Sequence, residues 1–211
     1  MLIDVNTHAG RWPFLQSGPT EPAALEDCLR AAGVSRAMVS AIEGVLAPHP
    51  SLEEQRLHPK LSDFFIHTPL ISPMRFDWRD RLRQAREQFG ATTIRMLPSY
   101  HQYDPAGDEA AALVDAAAAM DLHVALLVRI EDERAHYPLM AVPAPPQASI
   151  LALAERLAPR PLLLLNAYRW ELPAFAALEH VCFDLPYLEA AHPFAEVTAI
   201  VADARFCEYV T

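Results

Sequence analysis

Short apolar runs begin about 20 to 37 residues apart along this chain, and each is followed by a stretch with helical periodicity. That alternation is the strongest constraint on the fold, because strands separated by helices form parallel sheets with the helices on their faces. The runs are Leu2–Asn6, Arg36–Ile42, Phe64–Leu70, Thr93–Leu97, Val124–Ile130, Pro161–Asn166 and Val181–Asp184. Glu208–Thr211 reads as the start of an eighth. The rhythm predicts an α/β, TIM-like (β/α)8 barrel of seven βα units plus the start of strand eight. A doubly wound open sheet would alternate in the same way, and periodicity does not separate the two.

The intervening stretches carry helix signals. Thr20 is placed to cap the first helix, with Pro22 in its opening turn and Gly33 as its stop. Ala24, Leu25, Cys28, Leu29 and Ala32 are its expected buried face. A polar helix is expected around Ser51–Leu61. Asp77 precedes a stripe of Trp78, Leu82, Ala85 and Phe89 that ends at Gly90, with Arg79, Arg81, Arg83 and Arg86 on the solvated side. An alanine-rich helix follows Asp108, and further helices are expected at Gln147–Leu157, Glu171–Leu178 and Phe194–Ala202. The proline-rich stretch from Tyr137 to Pro146 is a loop in a position where barrels carry binding loops.

A length of 211 residues with 52% hydrophobic content suits one core, so residues 1–211 are read as a single domain. The formal net charge of −10 argues against nucleic acid or an anionic membrane surface as a partner. No apolar run reaches the roughly 18 residues of a membrane span. Cys28, Cys182 and Cys207 are few, odd in number and widely spaced, as expected of a protein in the reducing cytoplasm. The opening Met1-Leu2-Ile3-Asp4-Val5 has no basic segment and does not read as a signal peptide.

Polar residues gather at the ends of the expected strands. Strict alternation would put Asp4, Asn6 and His8 on one face of the first strand. Arg95 lies within the fourth, Arg129 ends the fifth, Asn166 ends the sixth, Arg169 follows it, and Asp184 ends the seventh. In a barrel the C-terminal strand ends converge on one mouth. Guanidinium groups there suit a carboxylate-bearing small molecule through paired hydrogen bonds, or they close on an internal partner such as Asp4 or Asp184. His101, in the loop after strand four, is the candidate acid or base, together with Asp184. Trp12 and Phe14 are placed to line or plug the mouth. His49, His58, His67, His123, His180 and His192 receive no role.

Three segments carry a resemblance. They are I-D-V-N-T-H-A-G-R-W-P-F at Ile3–Phe14, I-R-M-L-P-S-Y-H-Q-Y at Ile94–Tyr103 and R-I-E-D-E-R-A-H-Y-P at Arg129–Pro138. In this order they resemble the amidohydrolase-related family of TIM-barrel, metal-dependent hydrolases, which also includes decarboxylases. The resemblance implies a divalent metal, zinc by family habit, held by an H-x-H on strand one, histidines after strands five and six, and an aspartate after strand eight. Here His8 matches the second histidine of the pair and is the candidate metal ligand, while Asn6 stands at the first. Strand five ends in Arg129, with Glu131 and His136 beyond, and strand six ends in Asn166. The sequence stops at Thr211, before the acidic position would come.

The expected function is therefore a hydrolase acting on a small, carboxylate-bearing substrate, with Asn6, Arg95, Arg129, Asn166 and Arg169 as its binding residues. A decarboxylase in the same fold, or a silent barrel that binds a small acid or a protein partner, remains open. Without a covering helix, Leu2 or Ile3 with Tyr209 or Val210 would leave an apolar seam. A homodimer through that seam is expected.

Overall fold

A computed structural model of the chain describes residues 2–14, 18–132 and 142–184. Among these residues, seven parallel strands alternate with helices. They are β1 (Ile3–Ala9), β2 (Arg36–Ala41), β3 (Phe65–His67), β4 (Thr93–Met96), β5 (His123–Leu127), β6 (Leu162–Leu165) and β7 (Val181–Phe183). The helices are α1 (Pro22–Ala31), α2 (Pro50–Leu57), α3 (Trp78–Glu87), α4 (Pro98–His101), α5 (Asp108–Ala119) and α6 (Gln147–Leu157). The strands pair in chain order, β1-β2-β3 and β4-β5-β6-β7. A parallel bridge between Leu70 and Arg95 joins the two groups. Among the described residues β1 and β7 do not pair along their backbones. The expected eighth strand at Glu208–Thr211, the helix at Phe194–Ala202, Cys207, His136 and His192 lie outside the described residues.

Apolar side chains fall into an inner and an outer layer, as a curved sheet requires. The inner layer holds Met38, Leu70, Ala125, Leu127, Leu163, Leu165 and Cys182, one set of alternate strand positions. The other set faces the helices: Ile94, Met96, Val124, Leu126, Leu162, Leu164 and Val181 pack against α3, α5 and α6. Each large side chain buried this way contributes about 1.5–3 kcal/mol. α3 buries Trp78, Leu82 and Ala85 as expected, but it ends at Glu87, so Phe89 lies past the helix and is only half-buried. α6 spans the expected residues and buries Ile150, Leu153, Ala154 and Leu157.

The first helix differs from expectation. Its cap position is Glu21 rather than Thr20, with Pro22 as its first residue. Ala24, Cys28 and Ala32 are exposed; only Leu25 and Leu29 pack on the β1–β3 layer. A small-residue stripe looks apolar in sequence, but the two leucines alone reach the sheet. The polar helix is shorter than expected, with a 3-10 turn at His58–Lys60 after it. The helix expected at Glu171–Leu178 is a 3-10 turn, Leu172–Phe175.

β1 contains the irregularity that shapes the site. Asp4 pairs with Ala37, yet Thr7 pairs with Val39, so β1 holds one residue more than β2 between them. Such a bulge re-aims side chains. Asp4 lies opposite Ala37 and His8 opposite Ser40, and these two partners stand on opposite faces of β2. The expected common face of Asp4, Asn6 and His8 is thereby broken. Asp4 instead accepts a hydrogen bond from the Asn6 N–H at 2.8 Å, inside the bulge.

Candidate functional site

At the C-terminal end of the strands, Asn6 spans the gap between β1 and the far side of the sheet. Its Nδ2 donates to Asn166 Oδ1 and to Asp184 Oδ2, both at 2.8 Å. Asn166 adopts a left-handed conformation with φ of 56°, which asparagine tolerates better than most residues. From that turn its backbone N–H donates to Asp184 Oδ1 at 2.7 Å. Its side-chain amide donates to the Arg129 carbonyl at 2.8 Å, and its own carbonyl accepts from Arg129 Nη1 at 2.6 Å. Asn6, Arg129, Asn166 and Asp184 thus form one cluster, buried except for the half-buried Asn6. Burial pushes the Asp184 carboxyl up to about 6, against the opposing pull of these hydrogen bonds and of the Arg95 charge. Asp184 is 8% exposed.

Arg129 closes on a partner that sequence reasoning missed. Glu171 accepts from both of its terminal nitrogens, at 2.8 and 2.6 Å, and the guanidinium lies 3.8 Å from the centre of the Tyr168 ring. Neither Asp4 nor Asp184, the partners expected from sequence, makes that pair. Glu171 was legible only as the start of a short helix, because a pairing across 42 positions leaves no local pattern. Arg169 stands exposed in the turn after β6.

Arg95 points to the centre of the sheet and is 0% exposed. It donates to the carbonyls of Thr7 and Val5 at 3.2 and 3.0 Å and to His8 Nε2 at 3.0 Å. Burial lowers its pKa to about 10, offset by the charges of Glu54, Asp4 and Asp184, so it stays cationic at neutral pH. A guanidinium offers only donors, so His8 Nε2 accepts and the ring proton sits on Nδ1, toward the Asn6 backbone. Burial first, then the Arg95 charge, hold His8 well below the ordinary histidine range.

His101 ends α4 and faces the backbone of Gly44 and Val45, and burial lowers its pKa to about 4. It makes no hydrogen bond to the Asn6–Asp184 cluster among the described residues. Trp12 donates to Glu131 and meets Phe14 and Tyr100 edge-on, with ring centres 5.4 and 5.9 Å away. Several buried polar atoms at this end have no hydrogen-bond partner among the described residues: Asn6 Oδ1, Arg95 Nε, Ser99 Oγ, Tyr100 Oη and both His101 ring nitrogens.

A second buried network escaped the sequence reading. Glu54, 1% exposed, accepts from the backbone N–H of Ala41 and Leu70 and pairs with His67 Nε2 at 2.8 Å. His67 Nδ1 lies 3.1 Å from His58 Nδ1, and the two rings stack. Burial, then the charge of His67, lower the His58 pKa.

Among the described residues, three histidines with lowered pKa set the acid response. His8, His58 and His101 bind protons less readily folded than unfolded, so their stability is complete above about pH 6.5 and is lost as pH falls below it. Asp184 acts oppositely, costing stability as pH rises from its unfolded value toward about 6. Three groups outweigh one, and melting temperature should fall between pH 7 and 5.5. Each fully differential proton is worth about 1.4 kcal/mol per pH unit. Thermal melts of His101→Gln should show a shallower slope than the wild type; parallel slopes would refute the assignment.

Fold and site together define an α/β barrel with a buried carboxylate, two amides and two guanidiniums at the mouth end of its strands. No protein-family model matches the sequence, and no curated protein matches it. Solved structures do. An amidohydrolase II aligns with a TM-score of 0.53 at 14% identity, covering 87% of this chain and 78% of its own. A probable 2-pyrone-4,6-dicarboxylic acid hydrolase from Acinetobacter baumannii, with citric acid bound, aligns with a TM-score of 0.52 at 9% identity. That alignment covers 96% of this chain and 91% of the other. The chain has the TIM-barrel fold of these amidohydrolases.

The divalent metal expected from the resemblance does not fit the donors present. A catalytic zinc takes three protein ligands from imidazole, carboxylate or thiolate. Among the described residues no three His, Cys, Asp or Glu side chains are grouped to hold one. The His8 lone pair is taken by Arg95, the Asn166 carbonyl by Asn6, and both Asp184 oxygens accept hydrogen bonds. A dication on His8 Nε2 would also meet the guanidinium at about 4 Å, a repulsion of roughly 8 kcal/mol at an effective dielectric of 20. The candidate assignment of His8 as a metal ligand is therefore corrected: it is an acceptor for Arg95.

Proposed function

We propose that the chain is a hydrolase of the amidohydrolase type, acting on a small carboxylate-bearing substrate at the barrel mouth. The observation that supports it most is Asp184: a buried carboxylate with a pKa near neutrality, fixed by the Asn6 amide and the Asn166 N–H. In that state it suits general-base work at neutral pH. Asp184 takes a proton from water as its oxygen bonds to the acyl carbon. The bond to the leaving group then breaks, and the proton passes to that group. The unpartnered donors Arg95 Nε, Ser99 Oγ and Tyr100 Oη supply hydrogen bonds for carboxylate or carbonyl oxygens. Citric acid in the structure with 9% identity supports a small polycarboxylate as the class. The sparse cysteines support a cytoplasmic setting. Leu2, 55% exposed, supports a dimer through the seam it belongs to.

A second reading has its own observation. Arg129 is closed by Glu171 and His8 by Arg95, as in a barrel that binds without reacting. Incubation with a panel of lactones, esters and amides of di- and tricarboxylic acids separates the two. Acid release with one of them supports the hydrolase. Citrate binding without turnover supports the silent barrel, and carbon dioxide release would reassign the chain as a decarboxylase.

A further inference from the structure

We infer that Arg95 is the resident cation of this barrel, standing where the fold's relatives would lead one to expect a metal, and that the site works metal-free. The inference rests on the hydrolase reading for its chemistry but not for its geometry. Three observations carry it. Arg95 is wholly buried, and its terminal nitrogens bind two carbonyls of β1, so its charge is fixed by the backbone of the strand that also bears His8. The same guanidinium takes the Nε2 lone pair of His8, the imidazole that matches the metal-binding pattern. The first histidine position of that pattern, Asn6, spends its amide on Asn166 and Asp184 rather than offering an imidazole. A cation supplied by the chain needs no loading and no deprotonated ligands. In exchange it cannot sharpen the acidity of a bound water, so proton removal falls to Asp184. Besides the Nε it offers to the mouth, Arg95 positions His8: it holds the ring in the Nδ1–H form and places a permanent charge beside the mouth.

The test uses the full chain, stripped with a chelator and titrated with zinc alone. Zinc at a hundredfold excess over a true site's dissociation constant would raise the melting temperature by about 5–10 °C. The expected shift is under about 1 °C, with no stoichiometric heat in calorimetry. Nitrogen-15 spectra of the histidine rings, assigned with His8→Gln, should show His8 Nε2 unprotonated and unmoved by zinc. One equivalent of zinc that is lost in His8→Gln would overturn the inference. Zinc that still binds His8→Gln and leaves the His8 signal unmoved sits elsewhere, and counts for it. Arg95→Met removes the guanidinium at similar length, and where it folds the His8 signal should shift and become zinc-sensitive. An unshifted signal in the folded variant would overturn the inference; should the variant not fold, the wild-type titration decides.

Activity separates this from the hydrolase reading. Turnover that survives chelation supports both. Turnover only with added metal sinks the metal-free site alone. No turnover on any panel compound, with zinc still excluded, sinks the hydrolase alone.

Discussion

Replacing Asp184 with asparagine is expected to lower kcat by about a thousandfold on whichever panel substrate is turned over, within the usual range for a general base. The side chain keeps its size and one accepting oxygen, so either the Asn166 N–H or the Asn6 amide retains its bond. It loses the ability to take a proton. The wild-type rate should rise with pH through about 6, because the base acts only once ionised and burial has moved that ionisation up to this value. Below pH 6 the rate should drop tenfold per unit. A profile flat from pH 5 to 8, or an Asp184→Asn variant within tenfold of wild type, would remove Asp184 from the chemistry. KM should change less than kcat, since the substituted oxygen acts on water and not on the substrate carboxylate.

The largest stability effect is expected at Glu54, a residue that no sequence motif singles out. Its carboxylate serves two backbone N–H groups, Ala41 and Leu70, and the His67 ring, all within the buried layer between α2 and the sheet. Truncation to alanine leaves those donors without acceptors, at about 1–3 kcal/mol each. It also removes the foremost of the carboxylate charges that support the buried Arg95. A loss of at least roughly 3 kcal/mol follows, or a fall of about 6–12 °C in melting temperature. Glu54→Gln keeps one acceptor and should fall between the two. Differential scanning calorimetry giving Glu54→Ala within 2 °C or so of wild type would show that the network is dispensable.

Glu54 also marks where sequence reasoning stops. α2 is polar along its length, and a polar helix reads as solvated. Nothing local distinguishes the one glutamate that turns inward from Glu53, which pairs on the surface with Arg56. Strand order and most boundaries were legible because alternation is a local property, as with α6 and β4. The convergence of Asn6, Arg95, Arg129, Asn166 and Asp184 was legible once a barrel was assumed, since strand ends share one rim. Their pairings were not: Arg129 finds Glu171 and His8 finds Arg95 through contacts that only the curvature of the sheet creates. The face shared by Asp4, Asn6 and His8 failed for a smaller reason, one added residue in β1.

That added residue makes β1 a strand with two phases. Up to Asp4 it keeps one alternation with β2, and from Thr7 onward it keeps the other. The change of phase lets a single strand address both sides of the site, Asn6 reaching the ends of β6 and β7 while His8 reaches β4. A one-residue deletion between Asp4 and Thr7 would leave the length of every helix untouched and still exchange inward for outward along half of the strand. Chains sharing this fold but lacking the phase change must therefore wire their mouths differently, even where the same side chains recur in the same order.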